Sequence, residues 1–498
     1  MAKYFMGIDN GGTMTKAAVF DHKGNEVAVA SVETPTISPQ ENFQERDMML
    51  LWEATKTAIR NALKKAAVDS ADIKAVGCTG HGKGIYLWGK DGKPAYHAVA
   101  STDHRGAPFI EAWRKDGTLQ KAKEKTLQNA IDCQPVAILA WFRENQPEVL
   151  QNTKWIFEAK DYIRFMLTGE AYAEMTDYSG TSLMNLKTKC FDRELMSLFH
   201  LEDLFDCLPP LKNSYDNCGY ITAEVAAQTG LAEGTPVCGG MFDIDACAIA
   251  MDVSREEQLC VITGTWSINE YISKTPISPE STTLNSLFCL PDYYLIEESS
   301  PTSAGNLEWV VDTLLDKEKA EAKAAGKSIY QYVDELVAQI PPESSHVLFL
   351  PFLYGTNSDY QSGAFLGLSN SNTKGELFRA VFEGVAFSHM THIEKLLQLR
   401  DRPKAIRIAG GVTNSKVWLQ IFADVIGIPL EVVATKELGT LGCAMAGAVS
   451  AGEYADYSAA AKDMVRLSGI IEPNYTLHKI YTEKYEQYKR VLTALKEI

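Results

Sequence analysis

The sequence predicts an α/β protein of two similar domains, and three observations carry that prediction. The 498-residue chain is 46% hydrophobic, enough to bury more than one core. It opens on YFMGIDNGGTMTKAAVFD, Tyr4 to Asp21, where two apolar runs flank Asn10, Gly11 and Gly12. The same form returns at LCVITGTWSINEYIS, Leu259 to Ser273, around Gly264 and Thr265. No Pro-, Gly- or Ser-rich linker separates the halves. The boundary is expected near Met251–Glu256, giving domains over 1–252 and 253–498.

The elements follow in order. Asn-Gly-Gly between apolar runs is a hairpin signal, so Tyr4 to Asp21 reads as two antiparallel strands. EVAVASVET, 26–34, is a third strand, and residues 46–68 carry apolar residues at helical spacing. IKAVGCTG, 73–80, is a buried strand ending in glycine; DYIRFMLTG, 161–169, is a short helix closed by Gly169. An apolar strand ends at Cys238, Gly239 and Gly240 free the backbone, and IDACAIAM after Asp243 is a helix. In the second half, 375–399 is an amphipathic helix with Leu377, Phe378, Val381, Phe382 and Val385 on one face. Residues 405–427 read as strand, Gly-Gly turn and helix, and 438–452 as a glycine- and alanine-rich helix suited to close packing.

Composition narrows the function. The net charge is −16, from 48 basic and 64 acidic residues, and no basic stripe is present, which argues against nucleic acid as a partner. No apolar run has membrane-spanning length, and Met1 leads almost directly into the first strand without a signal-peptide pattern. Ten scattered cysteines without a C-x-x-C pair are expected to be reduced, as in a cytoplasmic protein.

Several residues could carry chemistry. The first hairpin is either a turn, its glycines chosen for positive φ, or a phosphate loop. In the second reading bare N–H groups and hydroxyls meet the phosphate, and the Asp9 carboxylate serves a metal ion. Asp243 is either a helix N-cap or a general base aimed at an attacking hydroxyl; Asp245 is the weaker choice for the base. His81 and Lys83 lie between glycines just past a strand. Asp103 and Arg105 form a solvated salt bridge or a ligand contact. His389 and His392, spaced i, i+3 without a third ligand, read as core or surface histidines rather than a metal site.

Taken together these stretches resemble the FGGY carbohydrate kinases over essentially the whole chain. The matching segments are GIDNGGTMTKAAVFD at the start, TDHR at 102–105, KDYIRFMLTGE at 160–170, GGMFDIDA at 239–246, ITGTWS at 262–267, SAGNLEW at 303–309 and AGGVTNSKVWLQIFADVIGIPL at 409–430. The resemblance implies two actin-like, ribonuclease H-like domains with a catalytic cleft between them. It implies γ-phosphate transfer from ATP, with Mg2+, to a sugar or polyol hydroxyl. Asp9 then serves Mg2+, and Gly11, Gly12, Thr13, Thr15 and Lys16 form the first phosphate loop. Gly264 and Thr265 form the second. Gly410, Gly411 and Ser415 match the nucleotide turn, Glu308 another nucleotide contact, and Asp243 the catalytic base. Lys83, His81, Asp103 and Arg105 fall with Asp243 on the sugar side.

Three departures shape the substrate expectation. Gly12 stands where many members have Thr, and Ile138 replaces a signature lysine while Trp141 is kept. His81-Gly82-Lys83-Gly84 stands where D-xylulose kinases carry Gln-Met-His-Gly. With ERDM at 45–48, DHRG and SPTSAGNLEW, the chain is most similar to the L-xylulose kinase branch, which makes L-xylulose the expected substrate. D-xylulose, erythritol and 3-keto-L-gulonate are the alternatives, and a homodimer is among the assemblies allowed. A rival of another class is an actin-like ATP-dependent binding protein, since fold alone proves no sugar chemistry.

Overall fold

The computed structural model describes residues 3–278, 284–355 and 362–495. The first strand, Tyr4–Asn10, pairs antiparallel with Met14–Asp21. The alternation of side chains along the pair puts Asp9 opposite Lys16 on one face and Asn10 opposite Thr15 on the other. Glu26–Glu33 continues the antiparallel ribbon. On the other side, Ile73–Gly80 runs parallel to the first strand and Pro236–Cys238 parallel to that. The six-stranded sheet has the order Asn217–Tyr220, Pro236–Cys238, Ile73–Gly80, Tyr4–Asn10, Met14–Asp21, Glu26–Glu33.

A seven-stranded sheet repeats this plan. Cys260–Thr263 and Ser267–Ser273 form its hairpin, Ile406–Gly410 lies parallel to the first of them, and Leu430–Val433 parallel to that. Tyr294–Ser300 sits beside Ser267–Ser273, as Glu26–Glu33 sits beside Met14–Asp21. The duplication expected from the two Gly/Thr turns is therefore present in strand order.

Helix ends fall where their caps require. Asp47 accepts from the backbone N–H groups of Met49 and Leu50 and starts the helix Met48–Ala66. Gly169, at φ +76°, closes Ala159–Thr168. Thr373 and Glu376 form a capping box at the start of Lys374–Leu397.

The chain divides into two compact units, one of Met1–Ser254, Ile272–Ile296 and Glu437–Val465, the other of Arg255–Tyr271, Glu297–Lys436 and Arg466–Ile498. These are not the two continuous halves expected from a division at 252–253. The helix Leu438–Ser450 belongs to the first unit because glycines let it lie directly on the first sheet. A Cβ at Gly7 would overlap the Thr440 backbone, and one at Gly77 the Cys443 carbonyl. Among the described residues no helix is long and apolar enough to cross a membrane.

Candidate active site

In the first unit the pieces converge on Asp243. Gly240, at φ +74°, lies so close to the Cys78 carbonyl that no side chain fits there. The Thr79 hydroxyl donates to the Met241 carbonyl at 2.7 Å. These contacts fix the start of the helix Asp243–Ala250 against the end of Ile73–Gly80. Phe242, not Asp243, occupies the N-cap, and the Asp243 carboxyl, one residue on, accepts the Ile244 backbone N–H. Burial first, then the charges of Asp9 and Asp177, pushes the Asp243 carboxyl well above the usual carboxylate range. The Ile244 backbone N–H and the Lys83 ammonium oppose that shift. A carboxyl so tuned is suited to receive a proton. Asp245 is fully buried and accepts from the Cys289 N–H at 3.0 Å, which is a structural role.

Asp9 lies within the strand, not at the tip of the hairpin. Burial raises its carboxyl to about 6, with Lys16 opposing and Glu437 adding to the shift. A Cβ at Gly439 would sit 2.8 Å from its Oδ2, so the helix Leu438–Ser450 begins directly beside it. Lys16 is held at 2.9 Å by Glu437. Thr15 is a correction to the loop expected from the sequence: it is buried on the other face. There Asn10 donates to its hydroxyl at 3.0 Å and also to that of Thr55 at 3.0 Å. Gly11, Gly12 and Thr13 are left as the loop.

The turn reading of those glycines does not explain them. Neither Gly11 nor Gly12 has positive φ, and a Cβ at Gly12 would meet nothing within 4 Å. Gly264 behaves alike, with only the Trp266 carbonyl at 3.9 Å. Both hairpin tips therefore carry glycines that the chain itself does not need, which leaves close approach of a ligand to the backbone.

The loop after Ile73–Gly80 packs on the residue preceding Asp243: a Cβ at Gly82 would overlap the Phe242 ring. Lys83 is held in the left-handed region at φ +62°, a conformation that costs a lysine on the order of 1 kcal/mol and needs surrounding support. Its ammonium acts on Asp243 and on Glu158. His81 is buried, with Nε2 2.9 Å from the Tyr86 hydroxyl. Burial and the Arg46 charge pull it down to about 3, so it is neutral.

Asp103 and Arg105 are not a solvated pair. Both are buried; Arg105 donates to Asp103 at 2.9 Å and to Glu45 at 2.7 Å, and its guanidinium lies 4.2 Å from the Phe43 ring. Asp103 also accepts from the Gln44 N–H at 2.7 Å. The pair thus anchors the Glu45–Arg46 segment, and Arg46 reaches the Gly11 carbonyl at 2.9 Å.

Sequence reasoning missed a buried charge cluster behind the base. Lys160 bridges Asp161 at 3.0 Å, Asp177 at 3.0 Å and Glu174 at 3.4 Å, all wholly enclosed. Arg164 pairs with Asp161 at 2.7 Å and donates to the Gly239 carbonyl, so it braces the turn that carries Asp243. Burial holds Asp177 up at about 7. The available signal was three charged residues, Lys160, Asp161 and Arg164, within one short, otherwise apolar helix.

In the second unit a cavity of about 570 Å³ is lined by Gly264, Thr265, Glu308, Gly411 and Ser415, five of the residues expected at the nucleotide. Gly410, at φ +98°, lies against Thr263 and turns the chain into the cavity wall. Phe382 and Trp418 stack at 4.4 Å on the apolar side. Tyr330 and Asp334 were not foreseen. His389 and His392 are core residues, bonded to Ser267 and Ser303 and to Ser300 and Glu298 respectively. No cluster of three His, Cys, Asp or Glu able to hold a metal occurs among the described residues. The buried Asp9 carboxyl is an oxygen donor of the type a hard divalent cation takes.

The chain is 32% identical over 497 residues to the L-xylulose/3-keto-L-gulonate kinase of Escherichia coli (strain K12), covering 99% of this chain and 98% of that one. It is 34% identical to a probable L-xylulose kinase of Haemophilus influenzae, covering 99% of each. A gluconate kinase structure from Lactobacillus acidophilus superposes with a TM-score of 0.90 over 100% of this chain and 99% of that one, at 23% identity, which speaks to the fold alone. Residues 4–250 match the N-terminal domain and 259–451 the C-terminal domain of one family, and the chain belongs to it: the FGGY family of carbohydrate kinases.

Proposed function

We propose that this kinase transfers the γ-phosphate of ATP to a hydroxyl of L-xylulose, with Asp243 as general base. The carrying observation is Asp243 itself: a carboxyl at a helix start where it is not the cap, braced by Gly240, Thr79 and Arg164, and desolvated. It accepts the proton of the attacking hydroxyl as that oxygen bonds to the γ-phosphorus and the ADP oxygen leaves. In the first unit the backbone N–H groups at Gly11–Thr13 are offered to phosphate oxygens; in the second unit Gly264 donates its own N–H to the Trp266 carbonyl, and the Thr265 N–H is the one offered. Asp9 holds Mg2+, which supplies charge neutralisation at the phosphates. The names of the relatives support L-xylulose, and one of them also names 3-keto-L-gulonate as a second substrate to test.

Lys83 separates these two sugars. Its strained backbone directs a long cation toward the Asp243 neighbourhood. As a donor to a neutral hydroxyl, Lys83→Met is expected to raise KM for L-xylulose about 2–10-fold with little change in kcat. Pairing with a substrate carboxylate would instead give selective loss of 3-keto-L-gulonate turnover with L-xylulose kept. A lysine without a substrate contact would change neither. Measuring kcat/KM for both sugars in wild type and variant decides among the three.

Asp9 gives a second test. A proton and Mg2+ compete for the same carboxylate, and Asp9 is half-protonated near pH 6. Apparent Mg2+ affinity is therefore expected to be flat above that pH and to fall below it, approaching about tenfold per unit. Asp9→Asn should abolish this slope and weaken Mg2+ binding throughout, as followed by calorimetry at pH 5 and pH 7.5. An unchanged Mg2+ requirement in the variant would return Asp9 to a purely structural role.

A further inference from the structure

The cavity that holds Gly264, Gly411 and Ser415 also contains a carboxylate that phosphate binding does not use. Asp334 lies on the helix Ile329–Ala338, half-buried, and its Oδ1 accepts the Ser415 hydroxyl at 2.6 Å. No lysine or arginine pairs with it among the described residues, and burial raises its carboxyl above the usual range. An unneutralised carboxylate is adverse in a site for a polyanion unless a ligand supplies a donor there. The glycines bared for phosphate mark another part of the wall, at Gly264 and the hairpin tip. Asp334 stands instead with Ser415, in a cavity lined by the exposed Tyr330 and backed by the buried Phe382–Trp418 stack. Tyr330, 44% exposed, is the accessible aromatic ring of that cavity, and a fixed carboxylate acceptor in its company fits a nucleobase rather than a phosphate chain.

We propose that Asp334 accepts a hydrogen bond from the exocyclic amino group of adenine and so selects the base of the nucleotide. The Ser415 hydroxyl fixes the carboxylate and leaves its other oxygen for the ligand. An ionised carboxylate is acceptor-only, so a purine without the amino group leaves it unpaired at a cost. The inference rests on the nucleotide reading of this cavity, but not on the identity of the sugar.

The test is equilibrium binding of ATP and of purine riboside triphosphate, which lacks only the amino group, to the full chain without sugar. Wild type is expected to bind ATP about 10–100-fold more tightly, the range for a hydrogen bond to a charged acceptor. Asp334→Ala should weaken ATP alone and bring the ratio to near one. Equal binding of the two nucleotides by wild type would overturn the proposal. So would a ratio that survives in Asp334→Ala, or a loss that falls equally on both nucleotides, which would mark a ribose contact or a structural role. If ATP binds with this selectivity while no sugar stimulates turnover, the sugar-kinase reading fails and the Asp334 inference stands.

Discussion

Replacing Asp243 by Asn is expected to lower kcat about 10²–10⁴-fold while leaving ATP and sugar affinity within a few-fold, because the amide keeps the shape but takes up no proton. The size follows from the role of a general base, and the specificity from position. Phe242 holds the helix cap, and Asn at 243 keeps an oxygen able to accept the Ile244 backbone N–H. It also relieves the mutual repulsion with Asp9 and Asp177 that raises the Asp243 carboxyl, so the folded protein should not lose stability. Single-turnover rates and a thermal melt on the same preparation separate chemistry from folding. Near-normal turnover in the variant would remove Asp243 from the mechanism.

The largest expected effect on stability is at Lys160. Lys160→Met leaves Asp161, Glu174 and Asp177 buried without the cation they share, and breaking a buried pair from one side costs about 3–5 kcal/mol. Denaturant unfolding should show a lower midpoint at unchanged slope. A midpoint within the equivalent of about 1 kcal/mol of wild type would mean that the three carboxyls relax by taking up protons. Asp177, already held at about 7, would then be the first to do so.

What the sequence made legible is what local pattern controls. The two hairpins were visible because apolar runs of strand length flank turn residues, and Asp243 because a carboxylate stands three residues past Gly240, at the start of an apolar helix. Side-chain alternation could have warned that Thr15 points away from Asp9, since the two stand on opposite faces of the pair. The cluster around Lys160 was hidden for a different reason. Charged residues on a short helix read as a solvated face, and the partners Glu174 and Asp177 come from two other elements, the strand Ala173–Glu174 and the helix Met175–Tyr178. Asp334 was hidden in the same way, on a helix whose sequence shows only amphipathic spacing. The assignment of Leu438–Ser450 to the first unit depends on Gly7, Gly77 and Gly442 meeting backbone far away in sequence, which no local pattern encodes.

A sugar kinase delivers phosphate to a sugar rather than to water. Incubating the protein with ATP labelled at the γ-phosphate, Mg2+ and L-xylulose, and separating the products, tests this most directly. The expected result is label recovered in a sugar phosphate in step with ADP, with little ADP formed when the sugar is omitted. ADP release that does not depend on any added pentulose, hexulose, polyol or sugar acid, with label only in inorganic phosphate, would contradict it.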